Sequence, residues 1–301
     1  MQRNISIDIL KLILSFFVVG LHLHFFDDVN REIGFFLNQG VFRLAVPLFL
    51  VINGYFFARI DNLNQYKKWL SRILFLYIFW LAIYSPFWFS KNMNSNIVTL
   101  FKGYFHLWYI IGIAYCSVIV YNLRKKNIKI IILIALFLYA IGVILQYAHV
   151  YNYINVPNFT YRNFLFFCMP FFSAGFVLKR LEIKNNKVTI DKYLVFSFAL
   201  FLAEVVFNML HMKKIMIFDI NLSFIFLCSL LFCKINRIHS KLEIPNLALV
   251  SSAIYFIHPL VFMGISYFYE LGSILHTFIT ILLSLFLAYP LIMLNRKIKI
   301  L

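Results

Sequence analysis

The stretch RNISIDILKLILSFFVVGLHLHFF, residues 3–26, decides the fold class. From Ile5 onward it is almost continuously apolar, and a helix of about 20 such residues crosses a bilayer core of about 30 Å. The run is too long for a secretory leader, and no small-residue cleavage site follows it, so it reads as a retained first membrane helix. Comparable runs recur along the chain at 5–26, 40–58, 72–89, 98–121, 128–147, 163–178, 193–210, 216–233, 246–269 and 272–294. The eighth, with Asp219 near its start, is the weakest of them. Hydrophobic residues make up 63% of the 301 residues, aromatics 20%, and charged residues only 13%. A soluble domain holds about 45–50% apolar and about 25% charged residues. The expectation is therefore an all-α integral membrane protein: a bundle of about ten transmembrane helices, with residues 1–301 forming one domain.

The formal net charge of +17 does not point to nucleic acid. Lys and Arg fall in short clusters between the apolar runs, in the gaps 59–71, 122–127, 179–192 and 234–245 and the tail 295–301. The alternate gaps carry Asp27, Asp28, Glu32 and Glu270. Basic residues collect on the cytoplasmic side of membrane proteins, which places both termini inside and the chain in the cell (inner or plasma) membrane as a multi-pass protein. The gap 148–162, with Tyr151, Tyr153 and Tyr161, then lies outside, either as an interfacial aromatic belt or as a sugar-stacking surface. Cys116, Cys168, Cys228 and Cys233 lie in or beside apolar runs and read as small buried hydrophobes. Seven of the eight histidines fall toward the outer half, but no metal is expected. His22 and His24 are two residues apart, which one helix face cannot use for chelation, and neither HExxH nor CxxC occurs.

The polar residues of the first helix are ordered. At about 100° per residue, Asp8, Lys11 and Ser15 all fall within about 40° of the direction of His22, whereas His24 points about 200° away. Asp8, Lys11, Ser15 and His22 thus form one narrow stripe. A lysine at membrane depth costs about 2.5–3.5 kcal/mol on insertion scales, so Lys11 needs a partner or a wet cavity. Asp8, one turn earlier, is one such partner. The stripe reads as one wall of a polar channel running from the cytoplasmic end to His22. Glu204, inside the seventh run, is a further intramembrane acid with no evident partner in the sequence.

These residues, with three further segments, resemble the acyltransferase family 3 membrane proteins, which O-acetylate saccharides. Lys11 and His22, separated by ten residues, are similar to that family's basic residue–x10–His pattern. Arg43 followed by VPLFLVINGYFF (46–57), HLWYIIGI (106–113) and SSAIYFIHPL (251–260) match three further elements in the family's order. Asn53 stands where the family usually has Ser, Lys11 replaces the commoner Arg, and the basic element after the second helix is reduced to Lys67, Lys68 and Arg72. The resemblance implies transfer of acetyl from cytoplasmic acetyl-CoA to a hydroxyl of a cell-surface glycan or lipid-linked saccharide. It implies His22, Lys11 and Asp8 as catalytic residues, and Lys11, Arg72, Lys67, Lys68 and Asn53 for the donor. It implies Arg43, His106, Trp108, Tyr255 and His258 for the acceptor. Elementary chemistry agrees that an acceptor hydroxyl needs a base and that histidine is the usual one near neutral pH. The competing expectation is a transporter or polysaccharide export protein, favoured by the stripe. Against it, the halves show no evident repeat and few helices are broken by Gly or Pro, the usual marks of transporters.

Overall fold

The computed structural model describes residues 4–181, 187–211, 217–238 and 242–301. Residues 182–186 of the gap 179–192, Met216 at the start of the eighth run and residues 239–241 of the gap 234–245 lie outside the described residues. Every regular element among the described residues is helical.

Helix α1 (Ile5–His22) starts on the Asn4 side chain, which accepts from the Ser6 amide at 3.0 Å and satisfies a first-turn donor. It ends at His22, four residues before the apolar run does. The following turn is held from elsewhere: the Phe26 amide donates to Ser273 Oγ, and Asn38 Nδ2 donates to the Phe25 carbonyl and to Asp27. Helix α2 (Arg31–Phe57) begins on Asn30, nine residues earlier than the hydropathy suggests. It contains a widened π turn at Phe36–Val41 and a tightened 3-10 turn at Phe42–Leu44 before becoming regular.

Helix α3 is Leu63–Ile83, and α4 is Met93–Lys102. Gly103, at φ +85°, then breaks the run expected at 98–121. A Cβ there would sit 2.5 Å from the backbone of Trp108, so the break needs glycine on two counts. The remaining helices are α5 (Phe105–Leu123), α6 (Ile128–Val150), α7 (Phe164–Leu181), α8 (Lys187–His211), α9 (Phe224–Asn236), α10 (Leu247–Phe268) and α11 (Ser273–Ile298). Among the described residues eight helices are long and apolar enough to cross a membrane, against the ten runs of the sequence. Of the other two, α3 carries Lys67, Lys68 and Arg72 in its first half, and α9 has only 13 residues.

The chain falls into two compact units, Met1–Phe49 with Asn185–Leu301, and Leu50–Lys184. In the first, α1 packs on α10, α11, α9 and the irregular start of α2, while α8 packs on α9. Leu14, Val18, Val19 and Ile254 are among its buried core residues. In the second, α5 packs on α3, α4 and α7, and α6 packs on α7. The regular part of α2 meets α7 at two glycines: a Cβ on Gly54 would lie 1.9 Å from the Phe172 carbonyl oxygen, and one on Gly175 would lie 1.9 Å from that of Val51. Such close backbone approach is the usual use of small residues between membrane helices. Cys116, Cys168 and Cys228 are buried and Cys233 half-buried.

Candidate functional site

In the first unit the α1 stripe has the burial that its spacing implies. Asp8 and Ser15 are buried, Lys11 and His22 half-buried, and His24 is exposed, with its Nδ1 3.2 Å from Asp27 Oδ2. Ser251 of α10 donates to the Lys11 carbonyl at 2.8 Å, so the α10 segment SSAIYFIHPL runs along α1 beside the stripe. At the far end the His22 ring stacks on that of His258, with centroids 5.5 Å apart and planes 22° apart. The first and fourth sequence elements thus meet, although 236 residues separate their histidines in the chain (258 − 22).

The state of His258 follows from its neighbours. It is fully buried, and its Nδ1 lies 3.0 Å from the Ile254 carbonyl. A carbonyl only accepts, so Nδ1 carries the proton and Nε2 keeps the lone pair. Pro259 next to it has no N–H to close the helix ladder, which loosens α10 at this turn. Tyr255, one turn earlier, lies between Phe49 and His258, 6.4 Å from each by ring centroid.

Arg43 is tied into a network that the sequence did not reveal. It forms an ion pair with Asp219, its Nε donates to the Asn38 carbonyl at 3.2 Å, and Nη2 reaches Gln39 Oε1 at 3.4 Å. The same Gln39 oxygen accepts from the Phe218 amide at 3.0 Å. Non-helical backbone at 217–223, where a helix was expected from 216, is thereby satisfied. Glu204 has a structural part here as well: its carboxylate accepts from the Ser223 amide at 3.0 Å and the Ser223 hydroxyl at 2.7 Å, capping α9. Removing one member of a buried ion pair leaves an unmatched charge, so Arg43→Ala or Asp219→Ala should each destabilise the protein by about 3–5 kcal/mol. Arg43→Leu with Asp219→Leu should recover most of that loss. Thermal unfolding in detergent of the three variants reads both outcomes.

A second polar stripe lies on α11. His276, Thr280 and Ser284 recur every four residues, share one helix face and are buried. Among the described residues, His276 Nε2, Thr280 Oγ1 and Ser284 Oγ meet no hydrogen-bond partner. Only His276 had been noticed from sequence. The i, i+4, i+8 polar spacing in an apolar helix was the signal available.

In the second unit, Asn53 Nδ2 donates to the Tyr109 hydroxyl at 2.8 Å, joining the second and third sequence elements. His106 is buried, with its ring 5.1 Å from Tyr84. Trp108 lines a cavity of about 690 Å³ together with Lys102, Arg162, Phe159 and Tyr115, while His106 does not reach it. Of the loop tyrosines, Tyr161 is buried and donates to Asn158 Oδ1 at 2.9 Å, Tyr151 stacks on Tyr147, and Tyr153 is exposed. The loop is therefore not one continuous stacking surface. Lys67 and Lys68 are exposed on the first turns of α3, with Arg72 half-buried beyond them. Three further cations of the base-rich gaps, which the sequence reading used for orientation alone, lie on tyrosines at the helix ends. Arg59 and Lys179 lie 6.0 and 5.8 Å from the Tyr55 ring, and Arg124 lies 3.5 Å from that of Tyr121, which stacks on Tyr66 at 4.1 Å. Among the described residues, no group of three or more His, Cys, Asp and Glu side chains could hold a metal ion.

Comparison with known proteins agrees with this geometry at the level of the family. The chain is 25% identical to an amino-acid racemase of Enterococcus faecalis in an alignment of 338 positions, which covers 99% of this chain but 47% of the relative. The chain thus spans about half the length of the curated relative it matches. No solved structure matches it. The family model described as an acyltransferase domain matches residues 4–293, nearly the whole chain, and the protein belongs to that family of membrane acyltransferases, acyltransferase family 3.

Proposed function

We propose that the protein is an O-acetyltransferase that moves an acetyl group from cytoplasmic acetyl-CoA to a hydroxyl of a cell-surface or lipid-linked saccharide, with His22 as general base. The observation that carries this reading is the stack of His22 on His258 at the end of the α1 stripe. The acceptor O–H gives its proton to His22 as its oxygen attacks the thioester carbonyl. The C–S bond then breaks, and the departing CoA thiolate takes the proton back from the imidazolium. His258, fixed by the Ile254 carbonyl, holds the His22 ring in place, and Asp8 and Lys11 polarise the approach along α1. Lys67, Lys68, Arg72 and Lys11 are suited to the donor's phosphates, and Asn53 to its positioning. Arg43, His106, Trp108 and Tyr255 serve the acceptor side, Arg43 through the backbone that it holds in place.

A transport reading has one observation in its favour, the second buried polar stripe on α11. Sealed vesicles of known orientation separate the two. Labelled acetyl-CoA supplied at the cytoplasmic face should acetylate a saccharide acceptor confined to the opposite face, and donor on that opposite face should fail. Accumulation of unmodified saccharide across the membrane, with no label transferred, would replace the enzyme by a transporter.

A further inference from the structure

The 690 Å³ cavity of the second unit lies at the end of α5 away from the basic residues Arg124–Lys126. Two cations enter it from different elements, Lys102 at the end of α4 and Arg162 just ahead of α7. Each sits over an aromatic wall: Lys102 Nζ is 3.5 Å from the Phe159 ring centre, and Arg162 is 5.2 Å from that of Trp108. Phe101, Ile111 and Tyr115 are walls of this cavity and also of a second one of about 460 Å³, which runs between α3, α4 and the start of α5. Leu74, Ile78, Leu81 and Leu100 line that second space, which is apolar almost throughout. Ile78 and Phe101 on its rim are 63% and 65% exposed, as suits a furrow open to lipid rather than a closed core. A basic, aromatic head chamber thus shares three of its wall residues with an apolar trough beside it.

We propose that this chamber and trough form a binding site for an anionic lipid, with its phosphate between Lys102 and Arg162 and its hydrocarbon chain along Ile78 and Leu100. Two cations converging on one concavity suit a phosphate, which Arg can grip with two hydrogen bonds. A snorkelling lysine or arginine at a helix end needs neither a cavity nor an apolar extension. The aromatic walls help to position both cations by cation–π attraction. On the acyltransferase reading, the site is where a phosphate-linked lipid brings its saccharide to the enzyme. That role rests on the proposed function, whereas the lipid site does not.

Binding is therefore measured without donor or turnover. The full-length protein in detergent is titrated with polyprenyl monophosphate, phosphatidylglycerol, phosphatidylcholine and inorganic phosphate, and read by thermal stabilisation and by native mass spectrometry. The two phosphate lipids should stabilise saturably and remain bound, while phosphatidylcholine and inorganic phosphate should do neither. Lys102→Ala and Arg162→Ala should each weaken lipid binding about tenfold, the effect of one hydrogen bond to a charged group. Lys102→Arg should keep it, and Ile78→Ser should weaken the lipids alone. Equal binding of phosphatidylcholine would reduce the furrow to ordinary lipid contact. Full stabilisation by inorganic phosphate would make it an anion site without a lipid. Wild-type affinity in a Lys102→Ala, Arg162→Ala protein of unchanged elution profile would overturn the assignment. Loss of acetyl transfer with lipid binding intact would count against the enzyme reading only.

Discussion

Acetyl transfer should fall by about 10²–10⁴-fold when His22 is replaced by alanine, the range expected for loss of a general base. His24→Ala should keep most of the activity. The two histidines share a helix end and differ in environment. His22 is half-buried and stacked on His258, while His24 is exposed, off the helix at φ +52° and bonded to Asp27. The comparison uses purified protein in liposomes, matched for amount and for unfolding temperature, with labelled acetyl-CoA as donor. Equal losses in the two variants would remove His22 from its role. Replacement of His258 by Gln, which keeps an amide donor for the Ile254 carbonyl but loses the ring, should give a smaller loss. A His258→Gln protein as inactive as His22→Ala would move the base to His258.

A single methyl group should also have a large effect on folding. The Cβ of Gly54→Ala would lie 1.9 Å from the Phe172 carbonyl oxygen and that of Gly175→Ala 1.9 Å from the Val51 oxygen, 2.8 Å from the Tyr55 amide nitrogen. Both obstacles are backbone, so no rotamer change relieves them, and α2 and α7 must separate. Overpacking a core usually costs about 1–3 kcal/mol, and this crossing should reach or exceed the upper end. Either alanine should lower the unfolding temperature sharply and reduce the monodisperse fraction on size exclusion. Gly264→Ala is the matched control, because nothing lies within 4 Å of its added Cβ. Stability of Gly54→Ala equal to that control would show that the helices meet less closely than described.

Much of the α1 site was legible because a helix repeats every 3.6 residues: Asp8, Lys11, Ser15 and His22 share a side by arithmetic alone. The resemblance gave His22 and His258 separate roles, and their stacking was not read from the sequence, since no local rule links residues so far apart. Arg43 was visible, but its partner was not. Asp219 marked its own run as doubtful, and the pairing needed the fold to bring α2 and residues 217–223 together. Glu204 had no partner in the sequence because its partners are mainly backbone amides, which any sequence offers everywhere. The apolar run at 98–121 concealed a break because hydropathy counts apolar residues and does not weigh one glycine at positive φ. For a related reason, eight of the described helices, against ten apolar runs, are long and apolar enough to span. Average hydropathy treats α3, with three cations in its first half, and the short α9 like their longer or less charged neighbours.

Helix α9 has a consequence for the surrounding membrane. Its 13 residues rise about 20 Å, roughly ten short of a typical hydrocarbon layer. Residues 217–223 lead into α9 without a helix ladder, and Glu204, Gln39 and the Arg43–Asp219 pair meet polar groups of that stretch instead. Leu222 and Phe226, both 57% exposed, bring this short stretch to the protein's surface. A lipid packed beside a 13-residue apolar helix meets a hydrophobic band shorter than its own chains, and it must tilt, compress or leave room for water. Short-chain lipids should therefore suit the α9 flank better than long-chain lipids, read as a higher unfolding temperature in liposomes of shorter acyl chains.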